Sequence, residues 1–193
     1  MSQPAPRLEE RFTYADYKKW DNEQRWEIIY GKPYLIAPAP TWEHQKISGQ
    51  LHMQLGSYLK GKQCQVFYAP FDVRLFAKAD ETDDTIVQPD IVVVCDSTKL
   101  MRTGYAGAPD LIIEILSPGN TRHDTLIKFN LYLKAGVREY WIVDPEQKTV
   151  SVHILKNNEY TTRIYGNEDS APVHTLEGLT IDLSEVFPEP LVT

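Results

Sequence analysis

Two apolar runs with an acidic residue set in each constrain the fold of this chain most strongly. Asp90 lies in the run Gln88-Pro-Asp-Ile-Val-Val-Val-Cys95, and Glu114 lies in the run Pro109-Asp-Leu-Ile-Ile-Glu-Ile-Leu116. Neither run alternates apolar and polar residues, which is typical of strands covered on both faces in the centre of an α/β sheet. Burial of a carboxylate costs free energy unless a partner or a metal compensates it. Lys128 follows in the next predicted helix, and two acids and a lysine at one sheet edge suit metal-assisted phosphodiester hydrolysis.

The rest of the chain predicts a mixed α/β or α+β sheet with a helix on each side. Apolar residues at helical spacing predict one helix over residues 42–60 and a second that begins at about residue 121. Turn residues predict a hairpin near each end of the chain, at residues 26–37 and 148–165. Two loops are predicted between these elements: a loop containing Gly104 and Gly107, and an acidic loop over 77–87 whose carboxylates at 80–84 face solvent.

Composition places this 193-residue chain among proteins with a real core, since 42% of its residues are hydrophobic. Its apolar runs are far shorter than the roughly 20 residues that cross a bilayer. The N-terminal residues lack a basic-then-apolar signal pattern, so a cytoplasmic protein with no membrane partner is expected. Cys64 and Cys95 are far apart in the sequence and have no metal-ligand spacing, which predicts reduced, buried thiols.

The net charge of −7 argues against a general nucleic-acid coating protein. The charge is unevenly spread, however. Residues 97–138 contain six Lys or Arg and three Asp or Glu, so relative positive charge accompanies the predicted site.

Several motifs together resemble a known family. They are Gln88-Pro-Asp90 with its apolar run, the segment 109–118, Asp124-Thr-Leu-Ile-Lys128, Tyr132, and Gly136-Val-Arg-Glu-Tyr-Trp-Ile-Val-Asp-Pro145. Trp26-Glu-Ile-Ile-Tyr-Gly31 and His44 add N-terminal motifs. This pattern closely resembles the Uma-two "putative restriction endonuclease" family of the restriction-endonuclease-like PD-(D/E)xK superfamily.

The resemblance implies a fold and a domain organisation. The implied fold is a restriction-endonuclease-like mixed sheet flanked by two main helices, with extra hairpins at both ends. A single domain is expected over residues 10–188, with a disordered tail at 1–9 and a C-terminal tail at 189–193.

The resemblance also implies a site and an activity. Asp90 and Glu114 would hold Mg²⁺ or Mn²⁺ together with the backbone carbonyl of Ile115, and Lys128 would complete a catalytic set. The superfamily lysine usually lies two residues after the second acid, where this chain has Leu116. The implied protein is a hydrolase, a metal-dependent endonuclease acting on DNA. A homodimer suits cleavage of both strands, and an unknown recruiting protein would supply DNA affinity.

Four further residues are candidates for the wall of the site. Glu27 is an extra ligand, a wall residue or a cross-strand salt-bridge partner. His44 lines the site or is a surface or capping histidine. Asp124, Lys128 and Tyr132 share one helix face at spacings of four residues, so Lys128 is alternatively an ordinary partner of Asp124 on a solvated face. Tyr132 is expected to belong mainly to the core.

Two other functions remain open from the sequence. One is a non-catalytic binding or regulatory module on the same fold, which the acidic charge favours. The other is a metal-dependent phosphoesterase acting on RNA or nucleotides, because a fold does not fix its substrate.

Overall fold

The computed structural model describes residues 10–20, 24–36, 40–117 and 122–189, and it describes residues 122–124 by their backbone alone. Its helices are α1 (Tyr14–Tyr17), α2 (Trp42–Leu59) and α3 (Arg122–Ala135), with short 3₁₀ helices at Ser97–Lys99 and Leu183–Glu185. The strands are β1 (Trp26–Ile29), β2 (Lys32–Leu35), β3 (Gln65–Tyr68), β4 (Asp72–Arg74), β5 (Ile86–Val87), β6 (Ile91–Val94), β7 (Gly104–Ala106), β8 (Leu111–Ile115), β9 (Glu139–Asp144), β10 (Thr149–Lys156), β11 (Glu159–Gly166), β12 (Ser170–Pro172) and β13 (Thr180–Asp182).

The central layer is a six-stranded mixed sheet in the order β11-β10-β9-β8-β6-β3. Strands β8 and β9 are parallel and α3 connects them, whereas β6 runs antiparallel to β8. Parallel neighbours need such a crossover, and the crossover brings the start of the helix close to the end of the first strand. The two apolar runs of the sequence are therefore central strands, as predicted, and the structure shows that they are adjacent.

The two main helices cover opposite faces of this sheet. The apolar stripe of α2 packs with one set of alternating strand residues, namely Ile47, Leu51, Leu55 and Leu59 against Ile91, Val93, Leu111, Ile113 and Ile115. The other face, which includes Val92 and Ile112, packs against Leu131 and Tyr132 of α3. Because side chains alternate along a strand, Glu114 faces the same side as Ile112, toward α3. The mixed α/β architecture with a helix on each side is confirmed.

The strands do not form the single sheet that was expected. A second, five-stranded sheet has the order β2-β1-β5-β4-β7, and β12 pairs with β13 alone. Strand β7 occupies the segment predicted to be a glycine-containing loop. It is only three residues long, too short to show the alternation of a strand. Gly104 nevertheless indicates that another backbone segment comes close at this position. A Cβ added there would lie 1.9 Å from the carbonyl oxygen of Asp72, its cross-strand partner.

The acidic loop is also less exposed than predicted. Asp83 is buried and binds the Arg74 guanidinium, whose Nε donates to Asp83 Oδ2 at 2.9 Å. The same guanidinium lies 4.0 Å from the centre of the Tyr14 ring. The prediction that this acid faces solvent is wrong, because a strand residue nine positions earlier supplies its counter-charge.

The prediction of reduced, buried cysteines is wrong as well. Cys64 and Cys95 form a disulfide, and both residues are only half-buried. They lie one residue beyond the paired ends of β3 and β6, where Gln65 is opposite Val94. The antiparallel register therefore puts them side by side despite a sequence separation of 31 residues.

Two further expectations concern the ends of the chain and the membrane. The predicted tails, 1–9 and 189–193, lie outside the described residues apart from Glu189. Within the described ranges, no helix combines the length and the apolar character needed to cross a bilayer.

Glu139 is a fully buried acid that joins the C-terminal segment to the sheet. Its carboxyl oxygens accept hydrogen bonds from Trp141 Nε1 at 2.8 Å, His174 N at 3.1 Å, and both N and Oγ1 of Thr175 at 2.7 and 2.9 Å. Every one of these donors would lose its partner if the carboxyl group were removed.

We therefore expect Glu139→Ala to lower the free energy of unfolding by about 2 to 4 kcal/mol, because buried donors without acceptors are costly. Urea denaturation followed by circular dichroism measures the change. Glu159→Ala, at the exposed start of β11, is the matched control and should stay within about 0.5 kcal/mol of the parent. Equal effects of the two substitutions would contradict this account of Glu139.

Candidate active site

Glu114 lies near the end of a central strand with its carboxyl group directed at α3. Its Oε1 accepts hydrogen bonds from Lys128 Nζ at 3.0 Å and from the Tyr132 hydroxyl at 2.6 Å. Lys128 and Tyr132 are four residues apart in the helix, so they share one face of it. Glu114 is therefore not an acid on a water-facing edge strand, because β8 lies between β6 and β9 and the side chain is only 13% exposed.

Lys128 contacts a second acid, Glu27 of β1. The ammonium lies 3.0 Å from Glu27 Oε1, and the same oxygen accepts a hydrogen bond from Gln88 N at 2.8 Å. Lys128 is 18% exposed and Glu27 is 8% exposed, so this pair is largely removed from water. Glu27 is an ion-pair partner, but its partner comes from α3, whereas its cross-strand neighbour is Tyr34.

The register of the sheet places Asp90 beside Glu114, which Lys128 and Tyr132 contact. Ile91 is opposite Ile113 in the antiparallel β6–β8 pair, so one step outward Asp90 is opposite Glu114. Asp90 Oδ2 accepts a hydrogen bond from Ile115 N at 2.8 Å. The structure thus brings together Asp90, Glu114 and Lys128, which lie in three separate segments of the sequence.

His44 contacts Asp90 from α2, the helix on the opposite face of the sheet from α3. It lies in the first turn of α2, where Thr41 Oγ1 accepts a hydrogen bond from His44 N at 3.3 Å. Its Nε2 is 3.2 Å from Asp90 Oδ2, and the side chain is 13% exposed. His44 is therefore largely buried beside Asp90, and the alternative of a surface histidine is wrong.

The charges in this cluster shift one another's pKa values. Burial raises the pKa of Glu114 to about 7, with the charge of Lys128 opposing the rise and those of Asp90 and Glu27 adding to it. Burial alone would lower the pKa of Lys128, but the charges of Glu114 and Glu27 outweigh it and hold that pKa above its usual value. Lys128 therefore remains an ammonium ion, whereas Glu114 changes its protonation near neutral pH.

The pKa of His44 responds to the same charges. Burial lowers it, but the hydrogen bond to Asp90, the charges of Asp90 and Glu114, and the carbonyl of Ile115 together raise it above the ordinary value. A positive imidazolium is thereby favoured beside Asp90 Oδ2 and the Ile115 carbonyl, two of the predicted metal-binding groups.

The remaining candidates are Tyr132 and Asp124. Tyr132 is fully buried and packs edge-on against Tyr140, so it belongs to the core and also binds Glu114 through its hydroxyl. The side chain of Asp124 lies outside the described residues. Sequence reasoning missed Gln88, whose backbone N–H fixes Glu27. Its position two residues before Asp90 was the available signal.

The donor set fits a hard divalent cation. In the described part of the chain, no three His, Cys, Asp or Glu side chains are arranged to hold a metal. Mg²⁺ does not require such a cage, since it is usually held by one or two carboxylates plus waters and substrate oxygens. Asp90, Glu114 and the Ile115 carbonyl supply donors of this kind. The three carboxyl groups and one ammonium also leave two negative charges in excess when all are ionised.

Comparisons with known proteins show the family and the fold of this chain. Residues 14–184 match the model of the Uma2 family, which is described as "Putative restriction endonuclease". The uncharacterized protein slr1290 of Synechocystis sp. is 27% identical over 161 residues, which cover 82% of this chain and 78% of that protein. A crystal structure described as a putative nuclease belonging to DUF820, from Anabaena variabilis, superposes with a TM-score of 0.72. It is 23% identical, and the match covers 91% of this chain and 97% of that one, so the likeness shows a shared fold.

The raised pKa of Glu114 predicts how stability depends on pH. The pKa rises from an ordinary 4.5 to about 7 in the folded state, so between these values the folded chain holds a proton that the unfolded chain has lost. Stability must then fall as pH rises through this window and level off above it. Glu114→Gln removes this titration.

We expect the free energy of unfolding of the parent, relative to Glu114→Gln, to decrease from about pH 5 to about pH 7. Urea denaturation at a series of pH values, with a chelator present, measures both proteins. Taking the difference removes most contributions from other titrating groups. A difference that does not change with pH would refute the assigned titration.

Proposed function

Since the chain belongs to the Uma2 "putative restriction endonuclease" family, we propose that it is a divalent-metal-dependent endonuclease that hydrolyses phosphodiester bonds in DNA. One observation carries the proposal: Lys128 Nζ lies 3.0 Å from Glu114 Oε1. Glu114 belongs to β8, and Asp90 directly precedes β6, the strand that pairs with β8. Two carboxyl groups and an ammonium ion brought together from three segments are the groups that metal-assisted phosphoryl transfer needs.

Asp90, Glu114 and the backbone carbonyl of Ile115 would hold Mg²⁺ or Mn²⁺. When bound, the metal would polarise the scissile phosphate and lower the pKa of an attacking water. The hydrogen bond from Ile115 N orients Asp90, and the Tyr132 hydroxyl orients Glu114. These contacts use Oδ2 of Asp90 and Oε1 of Glu114, so each acid is fixed through one of its two oxygens.

Lys128 supplies positive charge where the phosphate becomes more negative. Its ammonium is held between two acids and is largely shielded from water, so its field is stronger than it would be in solution. A charge placed in advance stabilises a transition state without the cost of reorganising solvent. Lys128 is therefore proposed to stabilise the charge on the pentacoordinate phosphorus or to orient the attacking water.

His44 is proposed as a wall residue that also contributes a charge. A protonated imidazole would compete with a divalent cation for the Asp90 carboxylate, whose Oδ2 lies 3.2 Å from Nε2. Loss of that proton removes the competition. The neutral ring then presents to the site a nitrogen with a free lone pair, which can bind a metal.

DNA as substrate, a homodimer and a recruiting protein belong to the same proposal. A net charge of −7 disfavours tight non-specific binding to a polyanion, so affinity must come from a local surface or a partner. A two-fold assembly would present one site to each strand of a duplex.

The proposal predicts which substitutions abolish cleavage. Asp90→Asn and Glu114→Gln should reduce Mn²⁺-dependent nicking of supercoiled plasmid to background, because each removes a charged metal-binding group. Lys128→Met should slow nicking by about 100-fold without weakening Mn²⁺ binding, since it removes transition-state stabilisation but no metal-binding group.

Asp110→Asn is the matched control, because Asp110 also follows a proline at the start of a strand. Its carboxylate accepts hydrogen bonds from Cys95 N at 2.8 Å and from Arg138 Nη1 at 2.9 Å, away from the proposed site. The control should cut at the parental rate. Cleavage of RNA or small phosphodiesters in place of plasmid would favour the phosphoesterase alternative, and Glu114→Gln with parental activity would disprove the site.

A further inference from the structure

Lys128 is bound to two acids, and the second of them is fixed independently of the proposed metal site. Glu27 Oε1 accepts hydrogen bonds from Lys128 Nζ at 3.0 Å and from the backbone N–H of Gln88 at 2.8 Å. Glu27 lies on β1 in the five-stranded sheet, whereas Glu114 lies on β8 in the six-stranded sheet. The ammonium of α3 therefore bridges a carboxyl group from each sheet.

These contacts create a competition at Glu114. The ammonium lies 3.0 Å from Glu114 Oε1, so it neutralises much of the charge that a divalent cation would need. With Asp90, Glu114 and Lys128 alone, the net charge would be −1, and a bound divalent cation would leave an uncompensated positive charge in a largely buried cluster. Uncompensated buried charge is strongly unfavourable. With Glu27 included and His44 neutral, the net charge is −2 and a divalent cation balances it.

We propose that Glu27 is the permanent counter-ion of Lys128, a positioning residue that allows Asp90 and Glu114 to present two full negative charges to a divalent cation. This inference rests on the proposed metal site and adds to it the residue that sets its charge. Glu27 holds the ammonium through an oxygen that the Gln88 backbone fixes, so Lys128 keeps a partner when Glu114 binds the ion. The charge of the cluster, and not only its donors, then matches the site to divalent ions.

The test is a charge-compensation cycle on the full chain, with Mn²⁺ as the probe. Electron paramagnetic resonance of free Mn²⁺, at fixed pH and ionic strength, gives the dissociation constant of the parent, Glu27→Gln, Lys128→Met and the double variant. Glu27→Gln should weaken Mn²⁺ binding by about tenfold or more, because the cluster loses one negative charge. Lys128→Met should tighten binding by about tenfold, because the competing ammonium is gone.

The double variant carries the decisive result. It restores the net charge of −2, so its Mn²⁺ affinity should return to within about threefold of the parent, since the two charge effects cancel. A merely structural role for Glu27 predicts a double variant at least as weak as Glu27→Gln. Glu139→Gln alters another buried glutamate, outside the cluster, and should leave Mn²⁺ affinity unchanged.

The outcomes separate this inference from the function on which it rests. A parent that does not bind Mn²⁺ overturns the metal site and the role of Glu27 together. A parent that binds Mn²⁺ with a Glu27→Gln variant of equal affinity overturns the role of Glu27 alone. Thermal melts establish that each variant is folded. Should Glu27→Gln fail to fold, Lys128→Met still decides, because unchanged affinity in that variant contradicts the competition.

Discussion

The ammonium of Lys128, shared between Glu114 and Glu27, is the interaction on which the geometry of the candidate site depends. All three side chains are largely removed from water, and breaking a buried ion pair by removing one partner costs about 3 to 5 kcal/mol. The contact ties α3 to one strand in each of the two larger sheets. The residues proposed for chemistry therefore also fix the relative positions of the elements that carry them.

Residues whose roles follow from local pattern were predictable from the sequence. Asp90 and Glu114 were selected because an acid beside or within an apolar run is costly to bury, and Lys128 because it lies in the helix after β8, from which the family resemblance implies the lysine. The α/β class and the helix on each face followed from the same periodicity. These inferences need only the alternation of strands and the geometry of a crossover.

Contacts between distant segments were not predictable in the same way. Glu27 and Lys128 are 101 residues apart, so the sequence could identify an isolated acid but not its partner. The same limit explains the error at Asp83, whose counter-charge Arg74 lies in a different element, and the error at Cys64 and Cys95, which only the β3–β6 register brings together. Strand β7 was not predicted because three residues are too few to show the alternation of a strand. Gly104 was the available sign, since it allows the close approach of Asp72.

The register of β6 and β8 also explains why two similar sequence motifs have different roles. Both strands begin after a Pro-Asp pair, and because they are antiparallel, each aspartate caps the far end of the other strand. Asp90 accepts from Ile115 N, and Asp110 accepts from Cys95 N, both at 2.8 Å.

The two ends of this ladder differ in what surrounds them. At the end occupied by Asp90, the opposite residue is Glu114, with α3 and β1 supplying Lys128 and Glu27. At the end occupied by Asp110, the neighbours are the disulfide and the exposed Arg138. A backbone cap is thus the structural role that the two aspartates share. A metal-binding role at Asp90 requires only that Oδ1, the oxygen not bound by Ile115 N, shares a cation with a second acid. The antiparallel register supplies that acid, Glu114, directly opposite.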